Sequence, residues 1–354
     1  MRRALSGLFI AGCFAVVSSW AAWGCLPDPP IRLPDLSVAG SPADGGDGGL
    51  ARLDGPRSDL GTAGWQAESG LGTMQTLRAA WVADASAREV FVVGHAGVIL
   101  HLSGGSWQKE SSGTDANLYA VAARTPTEVF AVGDRGVILR RVSGTWQREG
   151  SELASTSPLF GLSVLPSGEV IAVGDNGLIA RRQTAGVWVA ETAPALAGLA
   201  LRSVAGPRLD ALFAVGMNSA IVRRGQLGWE LDPLPIDGAG RGNYYAVATN
   251  PADSAPVAVG EYGLILSRRA DRWQVEKRMP PSGMTAPLHL YGLSVAGDEL
   301  FVVGAGGYVA RRLASGGSWT EEASGTRADL FSVSGSSVSG LVSVGENGTL
   351  VRRQ

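Results

Sequence analysis

Residues 132–149 read Val-Gly-Asp-Arg-Gly-Val-Ile-Leu-Arg-Arg-Val-Ser-Gly-Thr-Trp-Gln-Arg-Glu, and versions of this stretch return until the chain ends. The glycine of its Val-Gly step recurs at intervals of 39 to 44 residues. The seven glycines are Gly94, Gly133, Gly174, Gly216, Gly260, Gly304 and Gly345. A period of about 40–45 residues with several short strands in each unit is typical of a β-propeller.

One repeat contains four strand-like runs separated by turn residues. In the copy that begins at Leu118, residues 118–122 and 128–132 are short apolar runs rich in β-branched and aromatic residues. Residues 133–136 predict a tight turn, because the glycines and Asp134 supply positive φ values. Residues 137–141 and 145–149 then predict the third and fourth strands. Each repeat is therefore predicted to form one blade of four antiparallel strands.

A tryptophan follows six of the repeat glycines by 13 to 15 residues, and the seventh copy stops at Gln354 before reaching its own. The six are Trp107, Trp146, Trp188, Trp229, Trp273 and Trp319. The missing piece stands near the start, where the sequence after Trp65 reads like the sequence after Trp107. We therefore predict an all-β fold over residues 65–354: a seven-bladed propeller of four-stranded antiparallel blades, closed by the N-terminal strand around Trp65.

The first 64 residues indicate export and anchoring. Residues 1–24 combine basic residues at the start with an apolar run, which predicts a signal peptide of the lipoprotein type. Lipidation is predicted at Cys25, with Cys13 as the alternative processed cysteine and an ordinary cleaved signal or uncleaved anchor as other interpretations. Residues 25–64 are rich in Pro, Gly and Asp and predict a flexible tether.

These features predict an exported protein held at the cell envelope, with an outer-membrane lipoprotein favoured over a secreted or periplasmic protein. Its membrane contact would be the N-terminal lipid. Cys13 and Cys25 are the only cysteines, so a disulfide within the propeller is excluded. The formal net charge of −2 lacks the basic excess of nucleic-acid-binding proteins. No cofactor is predicted, and the partner is an unknown protein or glycan.

Pairs of arginines end the third strand in six of the seven repeats, and His101-Leu102 stands there in the first. The pairs are Arg140-Arg141, Arg181-Arg182, Arg223-Arg224, Arg268-Arg269, Arg311-Arg312 and Arg352-Arg353. One interpretation is structural: the first arginine pairs with the carboxylate of Trp-x-x-Glu and the second stacks on the indole. The other is a basic rim, formed by Arg140, Arg181, Arg223, Arg311 and Arg352, that docks on an acidic protein or an anionic lipid.

The opposite face carries the Val-Gly turns and the connections between blades. It holds acids in four turns, at Asp134, Asp175, Glu261 and Glu346, and aromatic residues near the start of first strands, among them Tyr119, Tyr245 and Tyr291. These residues form a candidate binding face, because loops on a rigid scaffold commonly carry function. The alternatives are that the acids form turns and that the aromatic residues pack between blades.

The pattern Val-Gly-x-x-Gly-x-Ile-x-Arg-Arg followed by Gly-x-Trp-x-x-Glu-x-Ser-Gly-Thr and Leu-Tyr-x-Val resembles the repeats of the photosystem II assembly-factor type and related BNR, or Asp-box, propellers. The resemblance covers residues 65–354. Residues 104–107 and 316–319 keep the Gly-Gly-Ser-Trp portion of the Asp-box but lack its aspartate. The assembly-factor resemblance implies a membrane-associated protein that binds other proteins.

The Asp-box resemblance also implies an alternative, since such propellers include sialidases and other glycan-active hydrolases. Sialidases bind a substrate carboxylate with several arginines and use a tyrosine nucleophile. In this sequence the arginines recur blade by blade, and His95, His101 and His289 stand apart from one another. No catalytic or metal-binding set can be assigned, so a non-enzymatic binding protein is favoured.

Overall fold

The computed structural model describes residues 64–191, 193–234, 240–250, 253–279 and 288–354. In this part of the chain, 28 strands form seven four-stranded antiparallel sheets, and the predicted propeller is confirmed. Short 3-10 turns join the strands. None of the described residues belongs to a helix long and apolar enough to cross a membrane. The predicted signal peptide, Cys25 and all of the tether except Gly64 lie outside the described residues.

Each blade contains three or four consecutive strands. Blade 1 consists of β2 (Leu77–Val82), β3 (Val90–Gly94), β4 (Ile99–Ser103) and β5 (Ser106–Glu110), and blade 2 of β6 (Leu118–Thr125), β7 (Glu128–Gly133), β8 (Ile138–Val142) and β9 (Thr145–Glu149). Blade 3 consists of β10 (Leu159–Val164), β11 (Val170–Gly174), β12 (Ile179–Arg182) and β13 (Trp188–Ala190), and blade 4 of β14 (Leu201–Ala205), β15 (Phe213–Gly216), β16 (Ile221–Gly225) and β17 (Gly228–Leu231). Blade 5 consists of β18 (Tyr244–Thr249), β19 (Pro256–Gly260), β20 (Leu264–Arg269) and β21 (Arg272–Arg278), and blade 6 of β22 (Leu290–Ala296), β23 (Glu299–Gly304), β24 (Tyr308–Leu313) and β25 (Thr320–Ala323). Blade 7 consists of β26 (Leu330–Ser334), β27 (Val342–Gly345), β28 (Leu350–Arg353) and β1 (Trp65–Ala67).

Both faces of each blade are buried, because neighbouring blades stack face to face. In blade 2, Val129 and Ala131 pack against blade 1, while Phe130 and Val132 pack against blade 3. Successive residues of a strand point to opposite faces, so a continuous apolar run serves two cores at once. The described residues form seven such cores, one at each blade junction.

The glycine of the Val-Gly step has a different role from the one predicted. Gly133 has an extended backbone with φ of −168°, and the positive φ values of the turn fall on Arg135 and Gly136. A Cβ atom at Gly133 would lie 2.0 Å from the carbonyl oxygen of Asn117. Glycine stands there because the first strand approaches too closely for any side chain.

The ring closes as predicted. The first strands of successive blades contact one another around the centre, including β2 with β26. The N-terminal strand β1 pairs with β28, with Trp65 opposite Arg353 and Ala67 opposite Val351. Blade 7 therefore combines the two ends of the described chain, and its outer strand is supplied by the N-terminal residues.

A carboxylate links each of six blades to the next one, and we call this arrangement the carboxylate clasp. The acid of Trp-x-x-Glu or Trp-x-x-Asp in one blade accepts hydrogen bonds from an arginine and an indole N–H of the following blade. The six clasps are Glu110 with Arg141 and Trp146, Glu149 with Arg182 and Trp188, Glu191 with Arg224 and Trp229, Asp232 with Arg268 and Trp273, Glu276 with Arg312 and Trp319, and Glu322 with Arg353 and Trp65. The nearest arginine nitrogen lies 2.7 to 2.9 Å from a carboxylate oxygen.

The clasp revises the expected role of the second arginine. Arg141 lies opposite Trp146 in the register, as predicted, but its guanidinium lies over the ring of Phe91 in the preceding blade. Stacking on the tryptophan of the same blade occurs at Arg312, which lies 5.2 Å from the Trp319 ring. The first arginine behaves as predicted, since Arg140 bonds to the carboxylate of its own blade, Glu149.

The register in blade 5 also differs from the predicted one. Arg268 lies opposite Trp273 and forms the clasp, so it corresponds to the second arginine of the other pairs. The first position is occupied by Ser267, and Arg269 lies beyond the repeat pattern. The pair is displaced by one residue, which the sequence motif alone did not reveal.

The junction between blade 7 and blade 1 lacks the arginine. Leu102 lies opposite Trp107 and occupies the clasp position, while His101 takes the first position and bonds to Glu89 and Glu110. The acid of this junction is Glu68, whose Oε1 lies 3.3 Å from the indole nitrogen of Trp107. Among the described junctions, the one between blades 7 and 1 therefore differs from the other six: its acid is bonded by an indole and by no guanidinium of the next blade.

The clasps make stability sensitive to acid. Burial raises the pKa of Glu110, Glu191 and Glu322, but hydrogen bonds from arginine and indole outweigh it and leave each pKa below the ordinary glutamate value of 4.5. Their stabilisation is thus complete above pH 4.5 and is lost as the pH falls through the lowered values. We expect the urea midpoint to stay constant near neutral pH and to drop below pH 4.5. A Glu322→Gln variant should show a weaker drop, and an equally steep one would contradict this origin.

We also expect the seven junctions to differ in strength. Replacing Glu322 by alanine leaves Arg353 buried without its carboxylate and should lower the free energy of unfolding by about 3–5 kcal/mol. Glu68→Ala removes a partly exposed acid bonded to one indole, and should cost about 1 kcal/mol. Urea denaturation of both variants, followed by circular dichroism, measures the difference. Equal losses would show that the clasps do not determine junction strength.

Candidate functional site

The two ends of the blades carry different structures. The 3-10 turns after the Val-Gly steps, such as Asp134–Gly136, lie at the end where first strands begin, because Leu118 pairs with Gly133. The connections between blades open on the same side, and we call it the loop face. Arginine pairs such as Arg140-Arg141 lie toward the other end of the third strand. This arrangement agrees with the predicted placement of the two faces.

Every first strand has a β-bulge at its second residue. The register shifts at this residue in all seven blades, between Leu118 and Ala120 in blade 2, for example. The seven bulged residues are Arg78, Tyr119, Phe160, Arg202, Tyr245, Tyr291 and Phe331, and we call them the mouth ring. A bulge re-aims a side chain and is often found beside functional sites. The repeat thus places seven half-buried side chains around the centre of the loop face.

Neighbouring members of the mouth ring contact each other. The guanidinium of Arg78 lies 4.3 Å from the ring centroid of Phe331 and 5.6 Å from that of Tyr119. Phe160 contacts Tyr119 at 5.2 Å and the guanidinium of Arg202 at 4.0 Å. On the other side, Tyr245, Tyr291 and Phe331 follow one another with centroid separations of 5.3 Å. Five aromatic rings and two guanidinium groups therefore form a continuous surface.

Two predicted acids lie directly behind mouth-ring tyrosines. The carboxylate of Asp134 accepts hydrogen bonds from the Tyr119 hydroxyl and the Asn117 amide, both at 2.9 Å. Glu261 accepts from the Tyr245 hydroxyl at 3.2 Å and from the Asn243 amide at 2.7 Å. These acids orient the phenols, so they do more than form turns. The structure brings them together with Tyr119 and Tyr245 as separate pairs.

The electrostatics of these pairs keep the phenols neutral. Burial raises the pKa of Tyr119, and its hydrogen bond to Asp134 raises it further. Burial and the charge of Glu261 likewise raise the pKa of Tyr245 above its ordinary value of 10.0. Close by, burial and the charge of Arg78 lower the pKa of His95. Both phenols therefore stay protonated at neutral pH and donate to the carboxylates behind them.

The other two predicted acids do not join these pairs. Asp175 accepts a hydrogen bond from the backbone N–H of Asn176 within its own turn. Glu346 begins the equivalent turn of blade 7. In the part of the chain that the structure describes, no group of three His, Cys, Asp or Glu residues is arranged to hold a metal ion. The four acids are distributed around the loop face, and the structure does not gather them into one site.

Sequence reasoning overlooked three residues of this face. Arg78 and Arg202 occupy the repeat position of Tyr119, directly after a leucine, and this alignment could have identified them. Tyr262 lies in the turn of blade 5 with φ of 56°, an unusual conformation for a bulky residue, and is 56% exposed. Its ring lies 5.7 Å from that of His289, which stacks near Tyr291. An exposed aromatic surface therefore extends outward from the mouth ring.

The predicted basic rim is occupied by internal ion pairs. Each of its five arginines has a carboxylate within 4.0 Å. The nearest partners are Glu128 for Arg140, Glu191 for Arg181, Glu230 for Arg223, Glu299 for Arg311 and Glu68 for Arg352. Such pairing satisfies the guanidinium groups within and between the blades. Docking of this rim on an acidic partner stays a prediction.

The phenol environments predict late titration at alkaline pH. Because folding raises the pKa of Tyr119 and Tyr245, their contribution to stability is complete below pH 10.0 and is lost as the pH rises above it. Phenolate absorbance should show these two tyrosines ionising after unfolded tyrosine does. An Asp134→Asn variant should lower the pKa of Tyr119 and leave Tyr245 unchanged. No change at Tyr119 would mean that Asp134 does not control it.

Neither the comparison with protein families nor the comparison with curated proteins found a match. Solved structures do match in fold. YCF48 bound to a D1 peptide is similar, with a TM-score of 0.67 and 18% sequence identity over 84% of this chain and 96% of that one. A streptogramin B lyase has a TM-score of 0.66 and 15% identity over 82% and 97% of the two chains. The WD40 propeller domain of Doa1 has a TM-score of 0.66 and 14% identity over 82% and 96%. At these identities the similarity shows the propeller fold, which binding proteins and an enzyme share.

Proposed function

We propose that this protein is a non-enzymatic binding propeller that holds a segment of another protein on its loop face. The mouth ring carries the proposal, because seven bulges place aromatic rings and two guanidinium groups in one continuous, half-exposed surface. Tyrosine and arginine are enriched among the residues that contribute most to binding at protein interfaces. The surrounding blades hold these side chains in place before any ligand arrives, which reduces the entropy cost of binding.

The chemistry of the surface suits a segment of polypeptide. The mouth ring lies at the centre of the loop face, and Tyr262 extends the aromatic surface to one side. Arg78 and Arg202 add charge on the other part of the ring and can pair with carboxylates of the bound chain. The solved structure of YCF48 with a D1 peptide shows that a propeller of similar fold binds a peptide. A glycan that stacks on the same rings is the alternative ligand.

The place of action forms part of the proposal. We propose that residues 1–24 direct export, that Cys25 receives a lipid and that residues 25–64 tether the propeller to the cell envelope, in an outer-membrane lipoprotein. The support is the basic start, the apolar run and the Pro/Gly/Asp-rich segment of the sequence. A secreted or periplasmic protein without the lipid is the alternative. Mass spectrometry of the N-terminus distinguishes them.

An enzymatic function is the second candidate. His95 and His289 both lie on the loop face, and a lyase is among the proteins of similar fold. A glycan-active hydrolase is the other enzymatic alternative. The two histidines belong to blades 1 and 6. Turnover of sialosides, polysaccharides or a streptogramin B that is abolished by His289→Ala would replace the binding proposal with catalysis.

The binding proposal predicts where a partner cross-links. A photoreactive residue replacing Tyr262 should give one dominant protein adduct in envelope membranes, since this exposed side chain borders the mouth ring. The matched control is the same residue at Leu227, which is fully exposed on a hairpin at the opposite end of blade 4. Arg202→Ala and Tyr291→Ala should each reduce the adduct severalfold while melting like the parent protein.

Three further outcomes are informative. Cys25→Ala should release the protein from membranes and leave cross-linking to a solubilised partner intact, because Cys25 and the residues of the loop face belong to different segments of the chain. Adducts from Leu227 alone would move binding to the opposite rim and contradict the proposal. A loop face that cross-links to no protein, together with binding on a glycan array, would favour the glycan alternative.

A further inference from the structure

The seven blade junctions provide an internal comparison. At six of them a carboxylate is bonded by both a guanidinium and an indole of the next blade, in the clasps described above. At the junction of blade 7 with blade 1, Leu102 replaces the arginine and Glu68 retains the indole of Trp107. The one ion pair that Glu68 forms in the described structure is with Arg352 of its own blade, whose Nη1 lies 4.0 Å from Glu68 Oε2. Glu68 therefore keeps acceptor capacity that its counterparts have used.

The same acid borders a cavity. A space of about 490 Å³ opens at the loop face beside Glu68, and its lining includes Leu71, Thr73, Met74 and Asn347. The side chain of Glu68 is 31% exposed, so a ligand in the cavity can reach the carboxylate. Leu71 and Met74 supply apolar surface, and Met74 is 77% exposed. This combination suits a long side chain with an aliphatic stem and a cationic end.

An equivalent cavity in blade 3 serves as a reference. It has a volume of about 340 Å³ and borders Glu191, the acid that corresponds to Glu68. There the carboxylate is already bonded by Arg181 at 2.6 Å, by Arg224 at 2.9 Å and by Trp229 at 2.7 Å. Its side chain is 14% exposed. The two cavities thus differ in one respect: an arginine of the next blade bonds to Glu191, and none bonds to Glu68.

We propose that the cavity beside Glu68 binds a guanidinium group, which bonds to this carboxylate as an arginine of the next blade bonds to the corresponding acid at the other six described junctions. A guanidinium fits better than an ammonium ion, because its planar donors can bond to both carboxylate oxygens at once. The site lies outside the mouth ring and does not depend on the proposed function. The group belongs to an arginine side chain of a polypeptide or to a small guanidinium compound.

Indole resonances give a direct test on the full-length protein in detergent. The Trp107 N–H donates to Glu68, so its resonance in protein labelled with ¹⁵N-tryptophan reports on that carboxylate, and Trp107→Phe assigns it. Titration with N-acetyl-arginine amide should shift this resonance saturably. Trp229, which reports on the occupied Glu191, should not move. The citrulline analogue has the same length without the charge and should bind at least tenfold more weakly.

Three variants make the test decisive. Glu68→Gln should weaken binding at least tenfold, whereas Glu346→Gln removes the same charge from the adjacent turn and should leave binding within twofold. Leu102→Arg should supply the missing guanidinium and prevent binding; if it fails to fold, Glu68→Gln still decides the question. No saturable shift with either the capped or the free arginine, equal binding of citrulline, or unchanged binding by Glu68→Gln would each overturn the proposal.

The same titration identifies the source of the group. Binding of the capped arginine supports recognition of an arginine within a polypeptide. Free arginine that binds while the capped form does not would support a small guanidinium ligand at Glu68, provided Glu68→Gln abolishes it. The cross-link at Tyr262 tests the mouth ring, and the shift of the Trp107 resonance tests the cavity at Glu68. A failure of the proposed function is therefore distinguished from a failure of this proposal.

Discussion

The interaction on which this ring depends is the sharing of one carboxylate by two blades. In its complete form, the acid at the end of an outer strand bonds on one side to the first arginine of its own blade and on the other to the second arginine and the tryptophan of the next, as Glu149 does with Arg140, Arg182 and Trp188. Apolar stacking between blades is non-directional and would tolerate sliding. The clasp adds charge-assisted bonds with defined geometry, which fix how one blade sits on its neighbour. It also explains why arginines, tryptophans and acids recur together in the sequence.

That fixed stacking has a consequence at the centre of the ring. Each blade contributes a first strand whose second residue bulges out of the register, so seven side chains meet on one face without any loop having to place them. The repeat supplies the positions, and the individual blades supply the chemistry, with arginine in blades 1 and 4 and aromatic residues elsewhere. A repeating scaffold can therefore build an asymmetric surface by changing single residues.

The period, the strand order and the closure by Trp65 follow from the sequence because each depends on residues close together in a repeat. Strand β9 occupies the predicted residues 145–149, and the other strands of blade 2 differ from the predicted ranges by a few residues. The clasps escaped prediction because Glu110 and Arg141 belong to different blades, and pairing across a face cannot be seen in one repeat. The one-residue displacement of Arg268 was not predicted for a related reason. Where two arginines are adjacent, the sequence does not show which of them lies opposite the tryptophan. The bulges were not predicted because they depend on the register between strands. When both faces of a strand are buried, the pattern of apolar side chains does not show that register.

Departures from the repeat are the most informative residues for function, because a position that only supports the ring has the same task in every blade. Leu102 in place of arginine and Tyr262 in place of a small or polar residue both fall on blades whose stacking is otherwise regular. Both departures change the loop face: the first leaves Glu68 accessible beside a cavity, and the second exposes an aromatic ring near the centre. The connection from β1 to β2 borders that cavity and leads directly to Arg78 of the mouth ring. An arginine bound at Glu68 would therefore lie on the same face as the aromatic surface of the mouth ring.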